Sequence, residues 1–363
     1  MNKRLVSLDV MRGLIMIFLA AESCELYNSI HDLHPGGIAG SLLEEFYHHP
    51  WNGLRFWDLI QPSFMTMAGA ALYISYFQKT EKGISWEKNF KHVAIRCLKL
   101  FICGTALHCV YKGKLVWELW NVLTQLSFTT LIAYFIIRKS SSFQIGFSIF
   151  LLILTEVLYR FVLVQGFEQP FVEGHNFGSY FDMLVMGKIN PDGWVFINIL
   201  PTAANTIWGA VAGRLLISHV SSSEKIKRLL IAAAVGLIFG FGLDWLHLTP
   251  IIKRIATSSF MLASGGWVFI VMAFLYWLID VKKYQSYAWI CTVVGMNSIF
   301  IYLFFGTVGS QWVNPTVAIF VKGFFGMAGV PELALAVLAA LATWLFEWYI
   351  CYFLYKKKVF FKL

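Results

Sequence analysis

Apolar residues in this chain gather in long runs rather than in alternation. Runs of membrane length fall at about 5–24, 56–77, 92–111, 116–137, 142–163, 195–218, 227–246, 256–280, 286–306 and 333–355. A helix of roughly 20 apolar residues crosses the hydrocarbon core of a bilayer. The pattern predicts an all-α polytopic membrane protein of about ten transmembrane helices. A further stretch, 312–328, is shorter and contains Lys322, Gly323 and Gly326. It reads as a short outer or re-entrant helix. The expected unit is a single transmembrane domain over residues 1–363, with long outer loops at about 25–55 and 164–194.

Composition agrees with that pattern. Of 363 residues 58% are hydrophobic and only 13% charged, whereas soluble domains carry about 25% charged residues. A disordered chain, a collagenous chain and an ordinary soluble enzyme are therefore excluded. The net charge of +9 is read as the positive-inside bias of a membrane protein, not as a nucleic-acid footprint. With a cytoplasmic N-terminus, the inner segments collect Lys3, Arg4, Lys79, Lys82, Lys88, Lys91, Arg138, Lys139, Lys225, Lys227, Arg228, Lys282, Lys283, Lys356, Lys357, Lys358 and Lys362. The outer segments hold fewer, among them Arg55, Lys188 and Lys253. Ten spans with both termini cytoplasmic place the basic tail inside. The six cysteines have no metal-ligand spacing, and most sit in apolar runs, as core residues do. No metal site is expected. Asp9 and Arg12 interrupt the first apolar run, so it does not read as a cleaved signal.

Charges within spans are expensive and are functional suspects. Asp9 and Arg12 are three residues apart, on one helical face, where they can pair. Glu22 lies near the outer end of the same helix. The stretch HHPWNGLRFWDLIQPSFMTMAG, residues 48–69, is the most informative. Two histidines and an aromatic turn precede a span, and Asp58 lies about one turn inside it. A carboxylate beside a histidine orients the ring and raises its basicity, which suits a base or nucleophile. Structurally, each of these residues has an ordinary alternative: a helix-end ion pair, a surface histidine or an interfacial tryptophan anchor.

The motifs taken together resemble the heparan-α-glucosaminide N-acetyltransferase family, within a wider superfamily of transmembrane acyltransferases. Ser7, Asp9, Arg12 and Gly13 match its first-span pattern. His48, Trp51, Gly53, Asp58, Leu59, Pro62, Phe64 and Gly69 match its second. Residues 190–213, 250–259 (PIIKRIATSS) and 295–303 (GMNSIFIYL) and the basic tail follow in family order. The chain departs from the family at 123–127, where LTQLS stands in place of L-Q-R-I.

The resemblance implies an acyl-CoA-dependent N-acetyltransferase. It would move acetyl from cytoplasmic acetyl-CoA, its co-substrate, to the amino group of glucosamine or a glucosamine-terminated glycan on the far side. It implies His48, not His49, as the catalytic histidine, tuned by Asp58. Trp51, Asn52 and Glu22 become candidates for the sugar. Arg12, Asp9, Asn297 and Arg214 become candidates for the CoA moiety, with a snorkelling anchor the ordinary role of Arg214 and an interhelical hydrogen bond that of Asn297. Expected partners are acetyl-CoA, an amino sugar and membrane lipid, with a homodimer among the expected assemblies and nucleic acid excluded. The expected location is a bacterial inner membrane, with the active histidine on the periplasmic side. Two alternatives stand: a glycan O-acyltransferase of the same superfamily, and a small-solute transporter. No internal repeat of the transporter kind is visible.

Overall fold

The computed structural model of the chain describes residues 5–361; Lys3, Arg4 and Lys362 lie outside them. Among the described residues the chain is all-helical. In order, the helices are α1 (Val6–Ser23), α2 (Leu26–His31), α3 (Gly37–Glu44), α4 (Ile60–Glu81), α5 (Trp86–Lys112), α6 (Val122–Phe135), α7 (Ser141–Phe161), α8 (Phe177–Met186), α9 (Ile199–Ile217), α10 (Ser222–Trp245), α11 (Ser258–Leu275), α12 (Ala288–Met296), α13 (Ser298–Phe304), α14 (Asn314–Gly326) and α15 (Glu332–Lys356).

Five helices are long and apolar enough to cross a membrane: α5, α7, α10, α15, and α11 with its extension to Val281. A sixth candidate joins α12 to the segment Ser298–Gly326 across a bend of 72°. The expected short helix at 312–328 is α14, within that bent pair. The count of ten rests on counting α1, α4, α6 and α9 as well. These are shorter or more polar. α6 has 14 residues, and α1 carries Asp9, Arg12 and Glu22 within 18. α4 and α9 bury Thr66, Thr202, Asn205 and Thr206 along their lengths.

The chain divides into two compact units. One contains residues 48–274, the other residues 5–47 and 275–361.

In the 48–274 unit, α4 and α9 form the central pair. A Cβ on Gly209 would fall on the backbone of Thr66, and one on Gly213 would meet the backbone of Ala70. The contacts advance in the same direction along both chains, so the two helices run parallel. Lipid gives little hydrophobic drive between helices, and small residues that admit backbone contact supply the attraction by close packing. The same device joins α10 to α11, where Gly236 lies against Leu262 and Gly266, and Gly240 against Ala263. α7 crosses α9 with Trp208 Nε1 donating to Ser148 Oγ at 2.8 Å.

Burial in this unit reverses the soluble pattern. Thr124, Gln125, Thr129, Asn205 and Ser264 are buried, whereas Ile231, Ile238 and Phe239 on α10 are more than half exposed. Such an outer surface suits lipid.

In the other unit, the Asp280 carboxylate accepts from the backbone N–H groups of Val6 and Ser7 at 3.2 and 3.1 Å. It caps the N-terminus of α1, where the helix leaves donors unmatched and favours negative charge. Gly13 fits against the backbone of Cys291, and Gly295 against that of Asp9. α1 and α12 therefore touch without side chains between them.

The close approach of α4 and α9 yields an expectation. Gly209→Leu forces the pair apart, a cost of about 1–3 kcal/mol or more, and lowers the thermal midpoint in detergent. Gly323→Ala on α14, where nothing lies within 4 Å of the new Cβ, leaves the midpoint unchanged. Equal midpoints for the two variants would count against the packing described.

Candidate functional site

The site forms where the turn before α4 meets the segment before α11. The sequence R-F-W-D makes a short 3-10 helix, Phe56–Leu59, closed by a reciprocal cap. Asp58 Oδ2 accepts from the N–H of Arg55 at 2.9 Å and from that of His49 at 3.3 Å. Pro62 falls in the first turn of α4, where a missing N–H costs least. The carboxylate is thus fixed by its own backbone, and Asp58 is fully buried.

Its second oxygen faces two side chains. Asp58 Oδ1 lies 3.0 Å from His48 Nδ1 and 3.4 Å from Lys253 Nζ. Lys253 Nζ also lies 2.9 Å from His48 Nδ1. Lys253 comes from 205 residues further along the chain. A single antiparallel bridge brings it there, pairing Asn52 with Ile252 beside a bond from Gly53 N to Ile251 O of 2.8 Å. Gly53 has φ +145 and lies under the His49 ring. A side chain there would be strained and would strike the imidazole, which accounts for glycine in the motif. The far side of the bridge is a turn made by PIIKRIATSS. Thr257 Oγ1 and Ser259 Oγ both donate to the Pro250 carbonyl at 2.7 Å. Asn198 Nδ2 donates to the Arg254 carbonyl at 2.7 Å.

Trp194 completes the surroundings. Its ring stands edge-on to His48 at 5.9 Å, and Lys253 Nζ sits over it at 5.4 Å. The His48 side chain remains 36% exposed, against 7% for Lys253 and 1% for Asp58. Burial, and next the Lys253 cation, push the imidazole below its ordinary value of 6.5, and Asp58 opposes them. His48 is therefore a neutral base near pH 7. When the ring proton is on Nδ1, facing Asp58, the Nε2 lone pair is available for chemistry.

A family model described as heparan-alpha-glucosaminide N-acetyltransferase, catalytic, matches residues 4–243. The chain belongs to this family. The matched segment contains His48 and Asp58 and ends before Lys253. A search of curated proteins found no match. Membership of the N-acetyltransferase family, with the apolar helices, makes the chain a membrane protein of an acetyltransferase family.

The other candidates fall out as follows. Trp51 donates its indole N–H to the Phe171 carbonyl at 2.8 Å and packs with Tyr159, Phe177 and Ile252, so its ring serves the scaffold. Asn52 is exposed and forms the bridge to Ile252. Arg214 is engaged at the end of α9. Nε donates to Tyr73 Oη at 2.7 Å and Nη1 to the Lys139 carbonyl at 3.0 Å. Asp9, Arg12, Glu22 and Asn297 belong to the other unit. Asp9 and Arg12 form the expected i, i+3 pair at 3.6 Å, and Glu22 is exposed. Asn297 is buried, donating to the Val359 carbonyl and accepting from Phe361 N–H, both at 3.1 Å. Its amide holds the C-terminal segment.

Sequence reasoning did not select Lys253 or Trp194. The available signals were PIIKR, noted only as a family segment, and the tryptophan that closes NPDGW. A second histidine–carboxylate–lysine group lies elsewhere in this unit. Glu118 is 2.8 Å from both His108 Nδ1 and Lys188 Nζ, joining the segment after α5 to the one after α8. Burial alone would raise Glu118, but the bonds from Lys188 and His108 prevail and hold it below its ordinary value.

Removing Asp58 exposes the dependence of this knot on one carboxylate. Asp58→Ala leaves Lys253 buried and without its counter-charge, a loss of about 3–5 kcal/mol. Thermal unfolding of the purified variant measures it. A midpoint equal to that of the unaltered protein would contradict the assigned pairing.

Proposed function

We propose that this chain is an acyl-CoA-dependent N-acetyltransferase. It moves acetyl from cytoplasmic acetyl-CoA to the amine of glucosamine, or of a glucosamine-terminated glycan, on the periplasmic side of a bacterial inner membrane. The observation that carries the reading is a partly exposed histidine whose Nδ1 rests on a buried aspartate, within the region matched by the family.

In this reading the chain acts as one catalytic domain of ten spans, with both termini in the cytoplasm. The parallel run of α4 and α9 is consistent with the map, in which both cross in the same direction. Arg12, with the inner lysines, meets the phosphates of CoA. Trp194, beside His48, stands at the acceptor side and is a better candidate than Trp51, whose indole N–H is already bonded.

The chemistry follows from a lone pair. An ammonium has none, so the sugar amine must lose a proton before it attacks the thioester carbonyl. That first proton goes to water; as the neutral amine attacks, His48 Nε2 takes a second proton from its nitrogen while the new C–N bond forms, the C–S bond breaks and the thiolate leaves. Alternatively Nε2 attacks first and carries the acetyl group to the amine. In both routes Asp58 accepts from Nδ1–H and stabilises the positive charge that develops on the ring.

The test is acetyl transfer from acetyl-CoA to glucosamine by purified protein, with glucose as the hydroxyl-only comparison. His48→Ala is expected to lose about 10²-fold or more, and His49→Ala to keep most of the rate. Because the His48 ring is held below 6.5, the neutral form prevails above that pH. The rate should rise with pH through a midpoint below 6.5. Full activity in His48→Ala, or transfer to glucose with none to glucosamine, would sink the assignment.

A further inference from the structure

The contacts at His48 cannot all be kept with one set of protons. A neutral imidazole carries one N–H and one bare nitrogen. Suppose the proton is on Nδ1. It then donates to Asp58 Oδ1 across 3.0 Å, Nδ1 offers Lys253 no lone pair, and Nε2 is bare. Suppose instead that it is on Nε2. Nδ1 then accepts from the Lys253 ammonium across 2.9 Å, the contact with Asp58 becomes one between two acceptors, and Nε2 is no longer a base.

Lys253 has a place in either arrangement. Asp58 Oδ1 is 3.4 Å from its Nζ, so the ammonium leans on the ring in one case and on the carboxylate in the other. It is closer to the ring. Both Lys253 and Asp58 are buried, so bulk water does not supply a substitute partner for either. The remaining charged groups near the ring are the guanidinium of Arg55, whose Nη1 lies 3.4 Å from the His48 carbonyl, and that of Arg254, paired with Glu173 at 3.4 Å. The neighbouring His49 turns its ring over Gly53.

We propose that Lys253 is a positioning residue that decides which nitrogen of His48 carries the proton. Bonded to Nδ1, it holds the ring in the Nε2–H form. Drawn onto Asp58, it releases the ring into the Nδ1–H form with Nε2 bare. The two forms contain the same number of protons: one leaves Nε2 for water as another reaches Nδ1 from water. The lysine thereby sets the share of molecules that hold a usable base. The proposal rests on the proposed function only in taking Nε2 as the working atom, and its primary readout involves no acetyl transfer.

The experiment is ¹⁵N spectroscopy of the full chain in detergent, with labelled histidine and with His48→Gln to assign the ring. Above its titration the unaltered protein should show an Nε2–H population at His48. Lys253→Met should convert the ring to Nδ1–H and raise its midpoint by about one pH unit or more, the scale of a like charge at this range. Lys253→Arg, which keeps the charge, should retain the low midpoint. The acid limb of the acetyl-transfer rate should move upward with the Lys253→Met midpoint. If Lys253→Met does not fold, Lys253→Gln reads the same loss of charge through the midpoint. A ring wholly in the Nδ1–H form in the unaltered protein would overturn the proposal. So would a folded neutral variant with an unchanged midpoint. Tautomers that respond to Lys253 in a protein that transfers no acetyl group would remove the proposed function and leave this inference intact.

Discussion

An ionised carboxylate taken out of water must find donors enough to replace its hydration, and Asp58 finds them in three stretches of chain. The N–H groups of His49 and Arg55 hold one oxygen. His48 and Lys253 gather on the other. Those contacts fix the loop before α4, orient the histidine and anchor a turn that begins two hundred residues later. The bridge between Asn52 and Ile252, the reversed backbone of Gly53 and the hydroxyl-braced turn at Pro250 all serve to present Lys253 to that carboxylate. A buried ionic group of this kind adds little net stability over a well-packed apolar one. Its contribution is definition, since few other arrangements satisfy so many donors at once.

The helical architecture and the pairing of His48 with Asp58 were legible in the sequence, because both are short-range properties. Apolar runs report helices directly, and ten residues separate the histidine from the carboxylate. Lys253 was not legible as a partner. It joins the site through one residue pair of bridge, which leaves no periodic trace. The roles of Trp51, Arg214 and Asn297 were obscured for a related reason: each polar group is engaged by a backbone carbonyl or hydroxyl that sequence does not specify. The number of crossings is less legible in α4, α6 and α9. These helices bury polar residues against one another, and so lack the apolar surface by which a lipid-facing helix declares itself.

That distribution also separates two kinds of helix in the 48–274 unit. α10 presents large apolar side chains outward and acts as a wall. α4 and α9 touch through glycine and alanine and act as a spine on which the polar interior is arranged. The histidine–carboxylate pair lies at the head of the spine, where a rigid backbone and partial access to solvent occur together.

The parallel contact of α4 and α9 has a consequence for how the fold can vary. Two helices locked side by side and running the same way present their first residues at one end. The short approach to α4 contains His48, and the short approach to α9 contains Trp194. Their proximity is therefore inherited from the helices rather than negotiated by the loops. Within the excursion from 162 to 190, buried Asp182 accepts from the Phe196 N–H at 2.9 Å, so a change there reaches the approach to α9, and an insertion between Trp194 and Ile199 would slide the tryptophan off its post.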